Sequence, residues 1–315
     1  MSDEALRRLE RALALDPDRL ELRRQHVQLL RRTGDEERAL AAIDLAWRLG
    51  AEELWDELVA GLQARRLRVG GVELAWVPGG PFVMGSHDMD QDAAPPHLVE
   101  LSSFYVALSP LTYGDLLEWE QAQPWWGTNE WMRRLALSTE THARATSAVA
   151  HLERTARPPG LAGSWAVISE AQWERVFRAA HLRPDGVSPY GVRRAERAAE
   201  WTRDGYDPEW YSSAPRLDPV SPAGGELFVV RGAPGLPEPH WALFREAARA
   251  DGRFQVGGLV RTRWVQHEHG IAVRPVFEPA APVTPDAVTP DAVTPDAVTP
   301  AAVGPAPAPG APAGR

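Results

Sequence analysis

Ile168-Ser169-Glu170-Ala171-Gln172-Trp173-Glu174 is the stretch from which the fold of this chain is read. Ser169 followed three residues later by Gln172 is a capping-box pattern. The serine oxygen takes the backbone N–H of residue 172, and the glutamine side chain returns to the N–H of residue 169. A helix is therefore expected from Ser169 to Ala180. Two blocks follow it, Glu200-Trp201-Thr202-Arg203-Asp204 and Val229-Val230-Arg231-Gly232. Phe228 to Arg231 reads as a strand. Upstream, Val72-Glu73-Leu74-Ala75-Trp76-Val77 alternates and ends at Pro78-Gly79-Gly80, a strand followed by a turn. Phe82 to Gly85 and Leu98 to Leu101 read as further strands. Short strands with scattered helices set residues 69–278 apart from the flanking segments.

The flanks differ in composition. Residues 1–68 read as helices, with apolar positions at Leu6, Leu9, Leu13, Leu22, Leu29, Leu30, Leu40, Ile43, Ala46 and Leu49. Asp16-Pro17-Asp18 interrupts the first helix, because proline disfavours helix in the residue before it. Thr33-Gly34-Asp35 interrupts the second, with Gly34 as its C-cap. A further helix is expected from Glu52 to Arg65. The register resembles a tetratricopeptide repeat, with Gly34 and Asp35 at the helix–helix turn and Ala39 and Ala46 where paired helices approach. A plain helical hairpin is the alternative. About one and a half repeats are present, so the segment is expected to pack on the neighbouring domain or on a partner. From residue 279 to 315 the chain is Pro-rich. Val283-Thr284-Pro285-Asp286-Ala287 repeats with period five to about Ala302. Such a segment has no packable apolar face and is expected to be a disordered tail.

Composition narrows the chemistry. The 315 residues contain no cysteine, which removes disulfides, cysteine-based metal sites and thiol nucleophiles. All 34 Lys+Arg are arginine, so no lysine base or Schiff base is available. A formal net charge of −9 argues against nucleic-acid binding, which needs clustered positive charge. No run of 18 apolar residues suggests a membrane span, and the first residues lack a secretory-signal layout. Cytoplasmic residence is the expectation.

The quoted blocks, with Trp76 to Ser86, Pro96 to Leu101, and Gly270-Ile271-Ala272-Val273-Arg274-Pro275, resemble the formylglycine-generating enzyme family, also called the sulfatase-modifying factor family. The resemblance covers about two-thirds of the chain, with the blocks in the family's order. It implies a C-type-lectin-like α+β fold of short twisted strands, two helices and long loops. It also implies that active members oxidise a client cysteine with a copper ion held by two cysteines, since soft thiolates suit Cu(I). In this sequence those positions fall on Pro237 and Ala242, neither of which binds a metal through its side chain. A non-catalytic binding protein is expected. The alternatives are a non-haem iron oxidoreductase with other ligands, and a scaffold subunit whose helical arm recruits a partner.

No cofactor is expected, with Ca²⁺ the one ion the resemblance raises. Glu200 survives at the family's calcium site, where Arg197 replaces an asparagine; pairing of Glu200 with an arginine is the alternative role. Asp88, Asp90 and Asp92 alternate as hard oxygen ligands would, but no glycine turn or closing glutamate accompanies them, so a solvated loop is the reading. His267 and His269 share one face if extended, yet no third ligand can be nominated. His97 fits a structural hydrogen bond. His142, His151, His181 and His240 show no metal or triad spacing. Trp125, Trp126 and Trp131 read as core, with a partner surface as the alternative. A protein partner is expected through the N-terminal helices, through the loops around 232–242 and 252–269, or through both. Those loops carry His240, Trp241, Arg253, Trp264, His267 and His269. Lectin-fold relatives of the family display variable loops in the same place.

Overall fold

The computed structural model describes residues 2–16, 18–86, 93–112, 114–115, 141–178, 187–195, 198–232, 245–249, 254–255 and 271–280. The chain opens with α1 (Ser2–Leu15), α2 (Leu20–Thr33), α3 (Glu36–Arg48), a 3₁₀ turn at Glu52–Leu54 and α4 (Trp55–Gln63). Each helix packs on the next. Gly34 caps α2 in the left-handed region (φ 76), where a side chain would be strained, and donates its N–H to Arg31 O. Asp35 then caps α3 by accepting the Arg38 N–H. One detail departs from the sequence reading. The buried row of α2 is Arg23, Val27 and Leu30, while Leu22 and Leu29 are only half-buried. Positions i, i+4 and i+7 line one face, and here an arginine heads that face.

Twelve strands follow among the described residues. β1 (Leu67–Val69) and β2 (Val72–Val77) form a hairpin through Gly70-Gly71, both at positive φ, as a two-residue turn requires. β3 (Gly80–Met84) pairs antiparallel with β4 (His97–Leu101), and β5 (Phe104–Ala107) comes next. Then come α5 (His142–Thr155), β6 (Gly163–Val167), α6 (Glu170–Phe177), β7 (Ala199–Gly205), α7 (Trp210–Ser213) and β8 (Leu227–Arg231). β9 (Arg245–Arg249), β10 (Phe254–Gln255), β11 (Ile271–Val273) and β12 (Pro275–Pro279) complete the set. Ser169 and Gln172 make the reciprocal capping box at the start of α6.

The class is α+β. One sheet runs β1-β2-β5-β12-β6 and a second runs β10-β9-β8-β7-β11. β12, late in the chain, lies between β5 and β6, with Val276 opposite both Val106 and Ala166. The last described strand therefore closes the sheet that the first strands began. Trp76, Trp173 and Trp201 are fully buried between these layers. Large rings suit a core with few long elements, because each fills 150–250 Å² of contact at low conformational cost. No described helix is long and apolar enough to cross a membrane.

The helical segment is tied to the sheets by a buried charge. Asp44, on α3, is fully buried. It accepts from Arg175 Nη2 on α6 at 2.7 Å, from Arg48 Nε at 3.1 Å and from the Tyr190 hydroxyl at 3.0 Å. Arg175 also donates to Pro81 O at 3.0 Å, so one guanidinium joins α3, α6 and β3. Apolar residues of α2 and α3 belong to the same core cluster as Trp76 and Trp173. Asp44→Ala leaves two arginines without their counter-ion. The expected cost is about 3–5 kcal/mol, read from urea denaturation. Helical and tryptophan signals are expected to be lost in one transition; two separate transitions would mean that the segments fold independently.

Candidate functional site

The motif blocks of the sequence come together around three buried arginines. α6 presents Glu170 and Glu174, one turn apart, to Arg231 at the end of β8. Arg231 Nη1 lies 3.1 Å from Glu170 Oε1, and Arg231 Nη2 lies 2.8 Å from Glu174 Oε2. The Tyr211 hydroxyl of α7 donates to the same Glu170 oxygen at 2.8 Å. Gly85 N donates to Glu174 Oε1 at 2.8 Å, and Arg178 pairs with that oxygen as well. The Arg231 guanidinium stands 5.1 Å from the Trp173 ring, a cation–π distance.

Arg274, between β11 and β12, takes Glu200 in a two-pronged pair, at 2.8 Å (Nε) and 2.7 Å (Nη2). Trp173 Nε1 at 3.2 Å and Ala195 N at 3.3 Å also donate to Glu200. Glu200, the residue raised as a calcium ligand, thus has both carboxylate oxygens engaged by protein donors. Arg274 spends its remaining protons on Ala107 O and Arg193 O, each at 2.7 Å. The side chains of Glu170, Glu174, Glu200, Arg231 and Arg274 are at most 1% exposed. A charge so desolvated persists only when paired and hydrogen-bonded. Among the described residues no three His, Asp or Glu side chains converge as a metal site would require.

Asp204 is the exception to this pairing. It is buried and accepts the Glu170 N–H at 2.7 Å and the Ser221 N–H at 2.9 Å. Burial, and then the nearby charge of Glu170, push its carboxyl up to about 7, against the pull of the two N–H donors and Arg203.

A cleft of about 660 Å³ opens where α2 and α3 face the β3–β4 hairpin. That volume is in the range of small-ligand or peptide sites. Its helical wall carries Arg23, His26, Asp35, Glu37 and Arg38; its other wall is Gly79, Gly80, Pro81 and Glu100. Burial holds the His26 imidazole below its usual range, Glu10 at 3.6 Å opposes this, and Arg23 and Arg38 add to it. Burial raises the Glu37 carboxyl, although Ser103 Oγ donates to it at 2.9 Å. Sequence reasoning missed this cleft. Its signal was Arg23, a charge at an apolar-face position of α2.

His97 Nδ1 lies 3.1 Å from Pro95 O, and its ring packs on Tyr211. His142 stacks on Phe228 with centroids 3.7 Å apart. Pro237, His240, Trp241, Ala242, Arg253, Trp264, His267 and His269 lie outside the described residues, as do Asp88, Asp90, Asp92, Trp125, Trp126, Trp131 and the tail from 281. No family model matches the chain, and no curated protein does. Among solved structures it is similar to PvdO from Pseudomonas aeruginosa, with 19% identity and a TM-score of 0.47 over 66% of this chain and 95% of that one. It is also similar to variable protein 1 of Treponema denticola, with 14% identity and a TM-score of 0.49 over 68% of this chain and 99% of that one.

The charge on Asp204 makes a pH prediction. Its folded value is raised, so the folded chain holds an extra proton between about 4 and 7, and stability falls as pH rises through that window. Above it the carboxylate is charged in both states and its full burial cost remains. Asp204→Asn removes this titration. Relative to the parent, the variant is expected to gain up to about 1.4 kcal/mol per pH unit across the window, measured by urea midpoints at its two ends. A parent–variant difference that is flat with pH would exclude the buried proton.

Proposed function

We propose that this chain is a non-catalytic binding protein. Its β-rich part is read as a C-type-lectin-like domain of the formylglycine-generating enzyme type, and α1–α4 as a tetratricopeptide-like arm. One observation carries the reading: a chain without cysteine has Pro237 and Ala242 where the resemblance places the copper ligands. The motif framework supports it. Glu170, Glu174, Glu200, Arg231 and Arg274 are engaged in holding one another, which suits a scaffold better than a reaction centre. The partner surface is read as the cleft between the arm and the β3–β4 hairpin, as the loops that carry His240, Trp241, Arg253, Trp264, His267 and His269, or as both. The partner is read as a protein, and the working compartment as the cytoplasm.

Two measurements test this. The purified protein is expected to hold neither copper nor iron in stoichiometric amount. With copper and oxygen supplied, it is expected to form no aldehyde on a cysteine peptide. Stoichiometric iron or copper, or any aldehyde that tracks with the protein, overturns the reading. For the binding surface, Ala41→Gln places a longer side chain in the cleft from an only partly buried helix position. Proteins recovered with the parent chain from extracts of its source are expected to be lost with this variant. Unchanged recovery would move the binding surface away from the cleft.

A further inference from the structure

Among the described residues no cation forms an ion pair with Glu37. This carboxylate sits on the first turn of α3, half-buried, in the helical wall of the cleft. Its one hydrogen bond there comes from Ser103 Oγ to Oε1 at 2.9 Å, and Oε2 takes no donor. The arginines beside it are engaged elsewhere. Arg38 pairs with Glu10 and Asp35, and Arg65 pairs with Glu36 at 3.3 Å. Burial raises the Glu37 carboxyl, as expected of a charge held partly out of water. Two further acceptors lack donors. The Tyr105 hydroxyl is fully buried with no hydrogen-bond partner, and Tyr105 lies two residues from Ser103 on the same face of the β5 segment. The charges of Arg65 and Glu37 both reach that hydroxyl. On α2, in the same wall as Glu37, His26 has both ring nitrogens buried without a hydrogen bond. Glu10, at 3.6 Å, is too far to make one.

We propose that the cleft seats a basic side chain, an arginine or lysine of a protein partner, with its charged head on Glu37. The proposal rests on the reading of the cleft as a partner surface and names the chemistry that surface recognises. The row along α3 fits such a side chain. Glu37, Ala41 and Leu45 are spaced four apart, so they line one face, with a rise of about 6 Å from each to the next. Ala41 and Leu45 are half-buried and line the cleft together with Pro81. Arginine and lysine carry an apolar stem below the charge, long enough to lie over Ala41 when the head meets Glu37. A guanidinium or ammonium also brings several N–H donors. Donors are what Glu37 Oε2, the Tyr105 hydroxyl and the neutral His26 ring lack. An acidic ligand would turn to Arg23 and Arg38 instead, but both already face carboxylates, Asp18 for Arg23 and Glu10 with Asp35 for Arg38. The formal net charge of −9 draws a cationic partner toward the chain, and the unpaired carboxylate fixes where its charge is seated.

The probes are Nα-acetyl-arginine methylamide and Nα-acetyl-lysine methylamide, with the citrulline analogue as an uncharged match in shape to arginine. Amide resonances of Glu37, Ala41 and Gly80 are followed in the full chain during titration. Both basic probes are expected to shift them saturably, while the citrulline analogue leaves them in place. Glu37→Gln keeps an acceptor for Ser103, so the fold is retained. It is expected to weaken the arginine probe about tenfold, the effect of removing one charge-assisted hydrogen bond. Glu226→Gln removes an exposed acid outside the cleft and is expected to leave the affinity unchanged. Equal shifts from the citrulline analogue, equal affinity in Glu37→Gln, or no saturable shift from either basic probe overturns the proposal. A loss with Glu226→Gln as large as with Glu37→Gln overturns it too, because only the overall charge is then being read. Partner recovery separates this inference from the reading beneath it. Recovery lost with Ala41→Gln but kept with Glu37→Gln leaves the cleft as the surface and removes the basic anchor. Recovery kept with both removes the cleft reading, and the anchor with it.

Discussion

A guanidinium taken out of water needs a carboxylate to pair with. Arg175, Arg231 and Arg274 are all fully buried, and each pairs with a buried carboxylate from an element far apart in sequence. Arg231 joins β8 to two turns of α6. Arg274 joins the closing strands to β7 and β5. Arg175 joins α6 to the helical segment through Asp44. The regular elements are short, so backbone ladders alone restrain them weakly. The ion pairs supply directional links that apolar packing lacks.

This economy bears on function. A carboxylate that holds an arginine with two oxygens is a poor candidate for proton transfer or for metal ligation. In α6, Glu170 meets Arg231 through Oε1, Glu174 meets Arg178 and Arg231 through one oxygen each, and Glu200 takes four donors. The framework ties α6, β7, β8 and the β11–β12 junction together through these pairs. What it leaves at the surface is concave and polar on one side, between α2–α3 and the hairpin, and apolar on the outer face of that hairpin, where Val83 and Leu98 are exposed. The cleft depends on where the helices stand against β3, and the Asp44–Arg175 contact joins the two.

Several elements were legible from local chemistry. The Ser169–Gln172 capping box, Gly34 as a left-handed cap and the β2 strand ending at Val77 each follow from residues within one turn or one strand of each other. The helix at Glu52 was less legible. Its first turn is 3₁₀ and the α-helix begins only at Trp55, with no side-chain cap at either start. The buried row of α2 was misread for a related reason. Leu22 and Leu29 are more apolar than Arg23, but burial follows the face presented to α3 and to the hairpin, and that face includes Arg23. Burial holds the Arg23 guanidinium below its ordinary range, and Asp18, five residues before it, opposes the shift.

From the sequence alone came the Ser169–Gln172 and Gly34 caps, the strands now seen as β2, β3, β4 and β8, and the loss of every thiol-dependent chemistry, since each rests on which atoms are present or on contacts within a few residues. Only the tertiary structure decided that Asp44 belongs to Arg175, that Glu200 is consumed by Arg274, and that Glu37 meets Ser103. Those partners are 131, 74 and 66 residues apart. Pairing over such distances is selected by the cost of leaving a charge or an apolar surface unmatched in the folded whole, a quantity that does not exist until the chain has closed on itself.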